Sequence, residues 1–455
     1  MERFDVMVIG SGSGLDVANA TARHGKRTVI IERNGLGGTC LNHGCIPSKM
    51  LIHSADVAET IKRAKLFGIN TGDFSVDFEK IVRRVNEFTD GDSDQIRNAF
   101  SEIQNPKLFS GECKFTGKKT VQIGDKTVSA DTILIACGSR PSIPKIKGLD
   151  KSGFITSTEA LRLKRQPKVL TIIGGGYIGC ELAHFFGALG TNINMIQRSE
   201  VLLTNEDWEI SKKITDLFSK KFSLYTNHDV ALVSKNNDSF EVEVIDSLGN
   251  KKTITSDQLL VATGRTPNTD TLDLAKTGVD LDEKGYVIVD KHLQTNVEGI
   301  FALGDVVGKY PFKHAANMEA EYAFTNMLHQ QKLPVDYTAM PHAIFCSPQI
   351  AGVGLTEQEL KERGVEYAKS VYQYYDTAMG KAIEDEDGFV KFLVDKKSKK
   401  ILGCHIIGAD ASTLIHEVLV AMRGCDGTID AISRTIFVHP ALSEVIARAA
   451  YSVDV

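Results

Sequence analysis

The chain has 455 residues, 42% of them hydrophobic and 24% charged, with a formal net charge of −5. That balance is ordinary for a folded, water-soluble protein. It gives no support for electrostatic binding of nucleic acid. At about 150 residues per domain, the length predicts roughly three domains.

FDVMVIGSGSG, residues 4–14, reads as a buried strand running into a glycine turn. With a strand already at residue 4, no signal peptide is expected. LDVANATARHG then has a helical pattern, and RTVIIE is a second strand ending at Glu32. Glu32 lies 22 residues after Gly10, the spacing at which an acid meets a ribose hydroxyl in a dinucleotide-binding βαβ unit. Gly10 and Gly12 let the backbone approach a pyrophosphate at the helix N-terminus. The third glycine of a GxGxxG pattern is due at Leu15, whereas Gly14 comes one place early.

GGTCLNHGCIPSK follows at residues 37–49, with Cys40 and Cys45 five positions apart among 8 cysteines. Along a regular helix five residues rise about 7.5 Å, and a disulfide needs Cα atoms within roughly 4.4–6.8 Å. The pair bonds only if the chain bends there. Gly44 permits a bend, and Pro47 disfavours helix at Ile46 and can itself open a helix. A thiol at a helix start is biased towards thiolate. Two unrelated buried cysteines, or half of a zinc site with His43, are the alternatives on spacing alone. No second Cys/His cluster follows, so no metal is predicted. The remaining cysteines form no framework, which suits a reducing cytoplasm.

The nucleotide-binding pattern recurs. VLTIIGGGYIGCELAHFFGALG places Gly174, Gly176 and Gly179 in full GxGxxG spacing after a strand. This most apolar stretch is interrupted by glycines, Glu181 and His184, so it is no membrane span. NINMIQR reads as the next strand, ending in Gln197 and Arg198 where an acid would select NAD. A basic residue there takes a 2′-phosphate, so NADPH is expected over NADH. Two such units imply two dinucleotides, one a bound flavin and the other a pyridine nucleotide. TILIACGSRPSIP (132–144) and QLLVATGRTPN (258–268) read as strands entering glycine turns between the units. TNVEGIFALGDVVG (295–308) reads as a strand ending at Asp305, suited to hold a ribityl hydroxyl. From about Pro334 these signals stop and a mixed α+β region begins. Near its end, IFVHPALSE sets His439 and Glu444 five apart, a histidine and carboxylate able to act as an acid–base pair.

Taken together, GGTCLNHGCIPSK, the paired glycine-rich units, ATGRTPN, GIFALGD and HPALSE resemble the flavoprotein disulfide reductases, the pyridine nucleotide-disulfide oxidoreductases of class I. The resemblance covers essentially the whole chain. It implies an α/β fold of two Rossmann-like domains, for FAD and NAD(P), and a C-terminal α+β dimerisation domain. The implied division is residues 1–143 and 265–333 for FAD, 144–264 for NAD(P) and 334–455 for dimerisation. It implies that Cys40 and Cys45 are a redox-active disulfide, Cys45 against the flavin and Cys40 outermost. It implies His439 and Glu444 as the acid–base pair, given to the partner subunit of a homodimer. Lys49 and Glu181 match an ion pair near the flavin, and Tyr177 matches a ring that covers it. Thr39, Gly138, Gly264 and Arg265 fall in motif positions that contact cofactor. FVHPALSE, FKHAANMEA and Arg198 are most similar to mycothione reductases, which reduce a low-molecular-weight disulfide. Dihydrolipoamide dehydrogenase, with NAD and a lipoyl-domain partner, is the alternative, and a non-catalytic electron-carrying flavoprotein subunit is a third reading. The NADPH-using members often carry a second arginine where this chain has Thr204.

Overall fold

The structure is a computed structural model and describes residues 1–454. Strand β1 (Glu2–Ile9) is buried at Phe4 and from Val6 to Ile9, the continuous apolar run of a strand covered on both faces. Helix α1 (Gly14–Arg23) returns the chain to β2 (Thr28–Glu32), which pairs parallel to β1 with Val6 opposite Thr28. Two helices follow, α2 (Gly38–His43) and α3 (Cys45–Arg63), then the long α4 (Phe78–Glu102). Four strands complete the first stretch: β3 (Lys107–Ser110), β4 (Cys113–Gly117), β5 (Thr120–Ile123) and β6 (Lys126–Ile135). The first sheet has the order β3-β2-β1-β6-β5-β4.

The short β7 (Ser139–Pro141) and α5 (Ser157–Ala160) lead to a second sheet. Its elements are β8 (Val169–Ile173), α6 (Tyr177–Ala188), β9 (Asn192–Ile196), α7 (Trp208–Lys221) and β10 (Ser223–Tyr225). An antiparallel meander, β11 (His228–Asn236), β12 (Ser239–Asp246) and β13 (Lys251–Ser256), precedes β14 (Gln258–Val261). The second sheet runs β10-β9-β8-β14, all parallel. Strand β15 (Arg265–Pro267) then pairs with β7, and β16 (Ile300–Ala302) rejoins the first sheet beside β6.

After α8 (Lys313–Leu328) the chain forms an antiparallel third sheet. Its elements in chain order are β17 (Pro341–Ile344), β18 (Gln349–Gly354), α9 (Glu357–Glu362), β19 (Tyr367–Gln373), α10 (Ala378–Ala382), β20 (Phe389–Asp395) and β21 (Ile401–Gly408). Helices α11 (Ala411–Gly424), α12 (Asp430–Ser433) and α13 (Glu444–Tyr451) close the chain. The sheet order is β17-β18-β21-β20-β19, and Val390, Phe392 and Cys404 pack with Ile415, Val418 and Ile446 in its core. The architecture is α/β, with two parallel βαβ units and an antiparallel α+β end. Among the described residues no helix is long and apolar enough to cross a membrane.

Two strand ends differ from the sequence expectation. β9 stops at Ile196, so Gln197 and Arg198 follow the strand. β16 stops at Ala302, and Asp305 stands in a 3₁₀ turn, Gly304–Val306. Gly304 there has φ +74°, a conformation that ends a strand and that glycine adopts freely.

Candidate active site

Cys40 and Cys45 lie on either side of a break between two helices. Cys40 is inside α2 and Cys45 opens α3, while Gly44 between them has φ −138° and ψ −120°. A Cβ at Gly44 would fall 2.8 Å from the Thr39 carbonyl oxygen, so this tight return excludes a side chain. Both cysteines are free thiols, and the bend brings them within hydrogen-bonding reach. They are chemically unlike. The Cys40 S–H donates to Cys45, and against the opposing effect of burial this bond and the Lys49 charge bring the Cys45 thiol down to about 6. The Cys40 thiol is pushed up, because its proton is held by Cys45 and because it is buried. The position of Cys45 at the head of α3 favours the same charge.

Lys49 is one helical turn beyond Cys45. Its Nζ meets both Glu181 oxygens, at 2.6 and 2.8 Å, and the Phe345 N–H adds a third bond to Glu181 at 3.0 Å. Lys49 also lies 4.8 Å from the Phe345 ring centroid. The pair joins α3 to α6. Tyr177 precedes Glu181 by one turn on α6 and so shares its face. The Tyr177 hydroxyl donates to Glu206, and the ring stacks loosely on Phe312 and His342, each at 6.2 Å.

The two glycine turns share one bond. Glu32 accepts from the Ser11 N–H at 2.9 Å and the Ser11 hydroxyl at 2.8 Å. In the second turn the Gly175 N–H donates to the Gln197 side-chain oxygen at 3.1 Å. In both, the amide after the first glycine meets the side chain at the end of the second strand, an acid in one and an amide in the other. Gly10 and Gly174 have φ +106° and +113°, and a Cβ there would strike the carbonyl oxygens of Ala136 and Ala262 at 2.2 and 2.3 Å. A Cβ on Gly12 or Gly176 would meet nothing within 4 Å, so these backbones face open space. Gly14, though early, would place a Cβ 2.8 Å from Val8 and 3.0 Å from Ala136, and Gly179 one 2.2 Å from the Gly174 oxygen. Each allows the close helix–strand approach of a third motif glycine. No side chain caps α1 or α6, which leaves their first N–H groups for an anion. These donor sets fit the pyrophosphates of two dinucleotides.

Arg198 is exposed and makes no hydrogen bond or ion pair among the described residues. Asp305 accepts from the Ser139 hydroxyl at 2.5 Å and lies 3.5 Å from Arg265. Arg265 is itself bound to the Ser139 hydroxyl and carbonyl, at 2.7 Å each, so its guanidinium braces Asp305. Gly138 and Gly264, at φ +66° and +117°, turn the chain beside them. Thr39 is exposed on α2. At the far end of the chain, His439 Nδ1 is 3.0 and 3.1 Å from the Glu444 oxygens, and the Ala441 N–H supports Glu444 at 3.2 Å. The His439 bond holds the Glu444 carboxyl below the usual carboxylate range. The His439 side chain is 71% exposed, and its neighbours Ile436 and Val438 are 97% and 76% exposed.

Residues 4–320 match the family model described as pyridine nucleotide-disulphide oxidoreductase, and residues 340–450 match the dimerisation domain of the same family. The chain belongs to the pyridine nucleotide-disulphide oxidoreductases. It is 35% identical over 460 residues to mycothione reductase of Mycobacterium tuberculosis, covering 99% of each. It is also 35% identical over 469 residues to dihydrolipoyl dehydrogenase of Corynebacterium glutamicum, covering 100% of this chain and 98% of the other. Among solved structures it is similar to the HOCl-induced flavoprotein disulfide reductase RclA from Escherichia coli, with TM-score 0.87 and 27% identity over 99% of this chain and 100% of that one. The chain is therefore a flavoprotein disulfide oxidoreductase. The pyridine nucleotide-disulphide oxidoreductase motifs point to Cys40, Glu32 and His439, but not to Ser11, Ser139, Glu206 or His342. Ser11 sits inside the glycine motif and could have been read there as a partner for Glu32. Glu206 and His342 are 136 residues apart and belong to no motif.

Proposed function

We propose that this oxidoreductase is an FAD-dependent, NADPH-preferring reductase of a low-molecular-weight disulfide, working as a homodimer. The observation that carries the chemistry is the division of charge in the thiol pair, with Cys45 anionic at the head of α3 beside Lys49 and Cys40 protonated. The flavin would be held by Gly10, Gly12, Gly14, Glu32, Thr39, Gly138 and Asp305. When bound, it accepts hydride from the nicotinamide and reduces the cysteine disulfide.

In the dithiol form His439 of the partner subunit takes the proton of Cys40, with Glu444 holding its Nδ1–H so that Nε2 is the working nitrogen. The Cys40 thiolate attacks one sulfur of the substrate disulfide, and the first thiol leaves with the proton from the imidazolium. Cys45 then attacks the Cys40 sulfur of the mixed disulfide. The second thiolate departs and takes a proton from solvent, leaving Cys40–Cys45 oxidised. Lys49, fixed by Glu181, keeps Cys45 charged until that attack.

The nucleotide would lie along Gly174, Gly176 and Gly179. Gln197 removes the acid that would repel a 2′-phosphate, and Arg198 supplies an unpaired cation for it; Gly264 and Arg265 lie at the crossing. A charge-assisted contact of about 1.5–3 kcal/mol predicts roughly a ten- to hundredfold higher kcat/KM for NADPH than for NADH. Arg198→Glu should reverse that order, and equal use of both nucleotides by the wild type would defeat the preference.

Equal identity to a dihydrolipoyl dehydrogenase supports a second reading, oxidation of a lipoyl dithiol with NAD⁺ in contact with a lipoyl domain. The two are separated by assaying NADPH with a bulky bis-thiol disulfide against reduced lipoamide with NAD⁺. The first pair should turn over fast and the second slowly; fast lipoamide turnover would select the second reading.

A further inference from the structure

The Tyr177 ring is fixed at its far end to a buried carboxylate on another element. Glu206, only 2% exposed, sits in the turn before α7. One of its oxygens accepts the Tyr177 hydroxyl, and the other is 2.7 Å from His342 Nε2. His342 is on β17, so the chain of bonds runs from the second sheet to the third. Burial opposes the Glu206 charge, yet the bonds from His342 and Tyr177 hold its carboxyl below the usual range. Burial and Glu206 together push the Tyr177 phenol up, so it stays a donor.

Glu206 cannot follow the ring. Its carbonyl accepts from the Gln358 side chain at 2.7 Å. The next residue, Asp207, accepts from the buried Lys391 ammonium at 2.9 Å and from the Glu357 N–H at 3.0 Å. Phe312 lies against both rings, 6.2 Å from Tyr177 and 6.3 Å from His342. A movement of Tyr177 breaks its bond rather than dragging its partner.

We propose that Glu206, braced by His342, is the positioning residue that sets the resting orientation of Tyr177, so that a nicotinamide enters only when the Tyr177–Glu206 bond breaks. This rests on the reading of Tyr177 as the ring that the nucleotide displaces. Tyr177→Phe keeps the ring and removes the catch. Glu206→Leu removes the acceptor, and Glu206→Gln keeps a neutral one. Rapid mixing of each flavin-loaded variant with NADPH separates the nucleotide Kd from the limiting rate of flavin reduction, and reoxidation of the reduced enzyme by air reads shielding by the ring.

Tyr177→Phe and Glu206→Leu should tighten Kd roughly tenfold, the loss of one charge-assisted bond. They should also speed reoxidation by air. Glu206→Gln should fall between them and wild type. If Glu206→Leu fails to fold, Tyr177→Phe carries the test alone. Wild-type Kd and air reoxidation in Tyr177→Phe, with both altered in Tyr177→Ala, would overturn the catch and keep the gate. Wild-type values in Tyr177→Ala would overturn the gate reading itself, and the catch with it.

Discussion

Two identical side chains five residues apart have been made into opposites, and the difference is set by three neighbours. Cys45 receives a hydrogen bond from Cys40, a positive charge from Lys49 and the dipole of α3. Its depressed pKa means that the thiolate is present above about pH 6 and is lost as pH falls through that value. The long-wavelength charge-transfer absorbance of the flavin-loaded, two-electron-reduced enzyme should therefore halve near pH 6. Cys45→Ser should abolish the band, and Cys40→Ser should show it without any reduction. Lys49→Met should move the midpoint upward. A midpoint at the ordinary thiol value of about 8.5 would refute this assignment. The residue types, their spacing and, through the family resemblance, the direction of the asymmetry were legible in GGTCLNHGCIPSK, but its physical causes were not. The main cause is the hydrogen bond from Cys40 that the bend at Gly44 allows, with the Lys49 charge second; Glu181, 132 residues from Lys49 in sequence, fixes that ammonium while its own charge opposes the shift.

At the scale of elements, strand–turn–helix–strand units announce themselves because their cues are local: an apolar run, glycines that need positive φ, and a polar side chain at the next strand end. Both βαβ units were readable for that reason, and Gly14 shows that the packing role survives a shift of one place. Long-range partners were not readable. FVKFLV in β20 reads as an apolar strand with one inconvenient lysine, yet Lys391 is fully buried. Its ammonium meets Glu357 at 2.6 Å and Asp207 at 2.9 Å, the latter 184 residues away. This cluster fastens the start of α7 to β20 and α9. Lys391→Met would strand two buried carboxylates without their cation, and should cost about 3–5 kcal/mol in urea unfolding. A loss under about 1 kcal/mol would mean that water or a neighbouring lysine, such as Lys369, replaces the charge.

At the scale of the whole molecule, the thiol pair and the histidine–glutamate pair lie at opposite ends of the chain. In the proposed homodimer, each site would be composite, with His439 and Glu444 coming from the partner subunit. Cys40→Ser and His439→Ala homodimers should both be nearly inactive in disulfide reduction. A mixed dimer has one intact site and one site with both lesions, so it should recover up to about half of wild-type activity. Purified mixed dimers with no gain over either parent would exclude the shared site. The exposed His439, flanked by the bare apolar side chains of Ile436 and Val438, then has a consequence for a newly made subunit. On the proposed shared site, such a subunit owns a thiol pair without the His439 that would move its proton, so it is expected to be silent in disulfide reduction until it meets a second copy. Turnover per chain should fall as the enzyme is diluted below its association range and return on concentration, with flavin retained throughout. On that reading assembly is the on-switch for disulfide reduction.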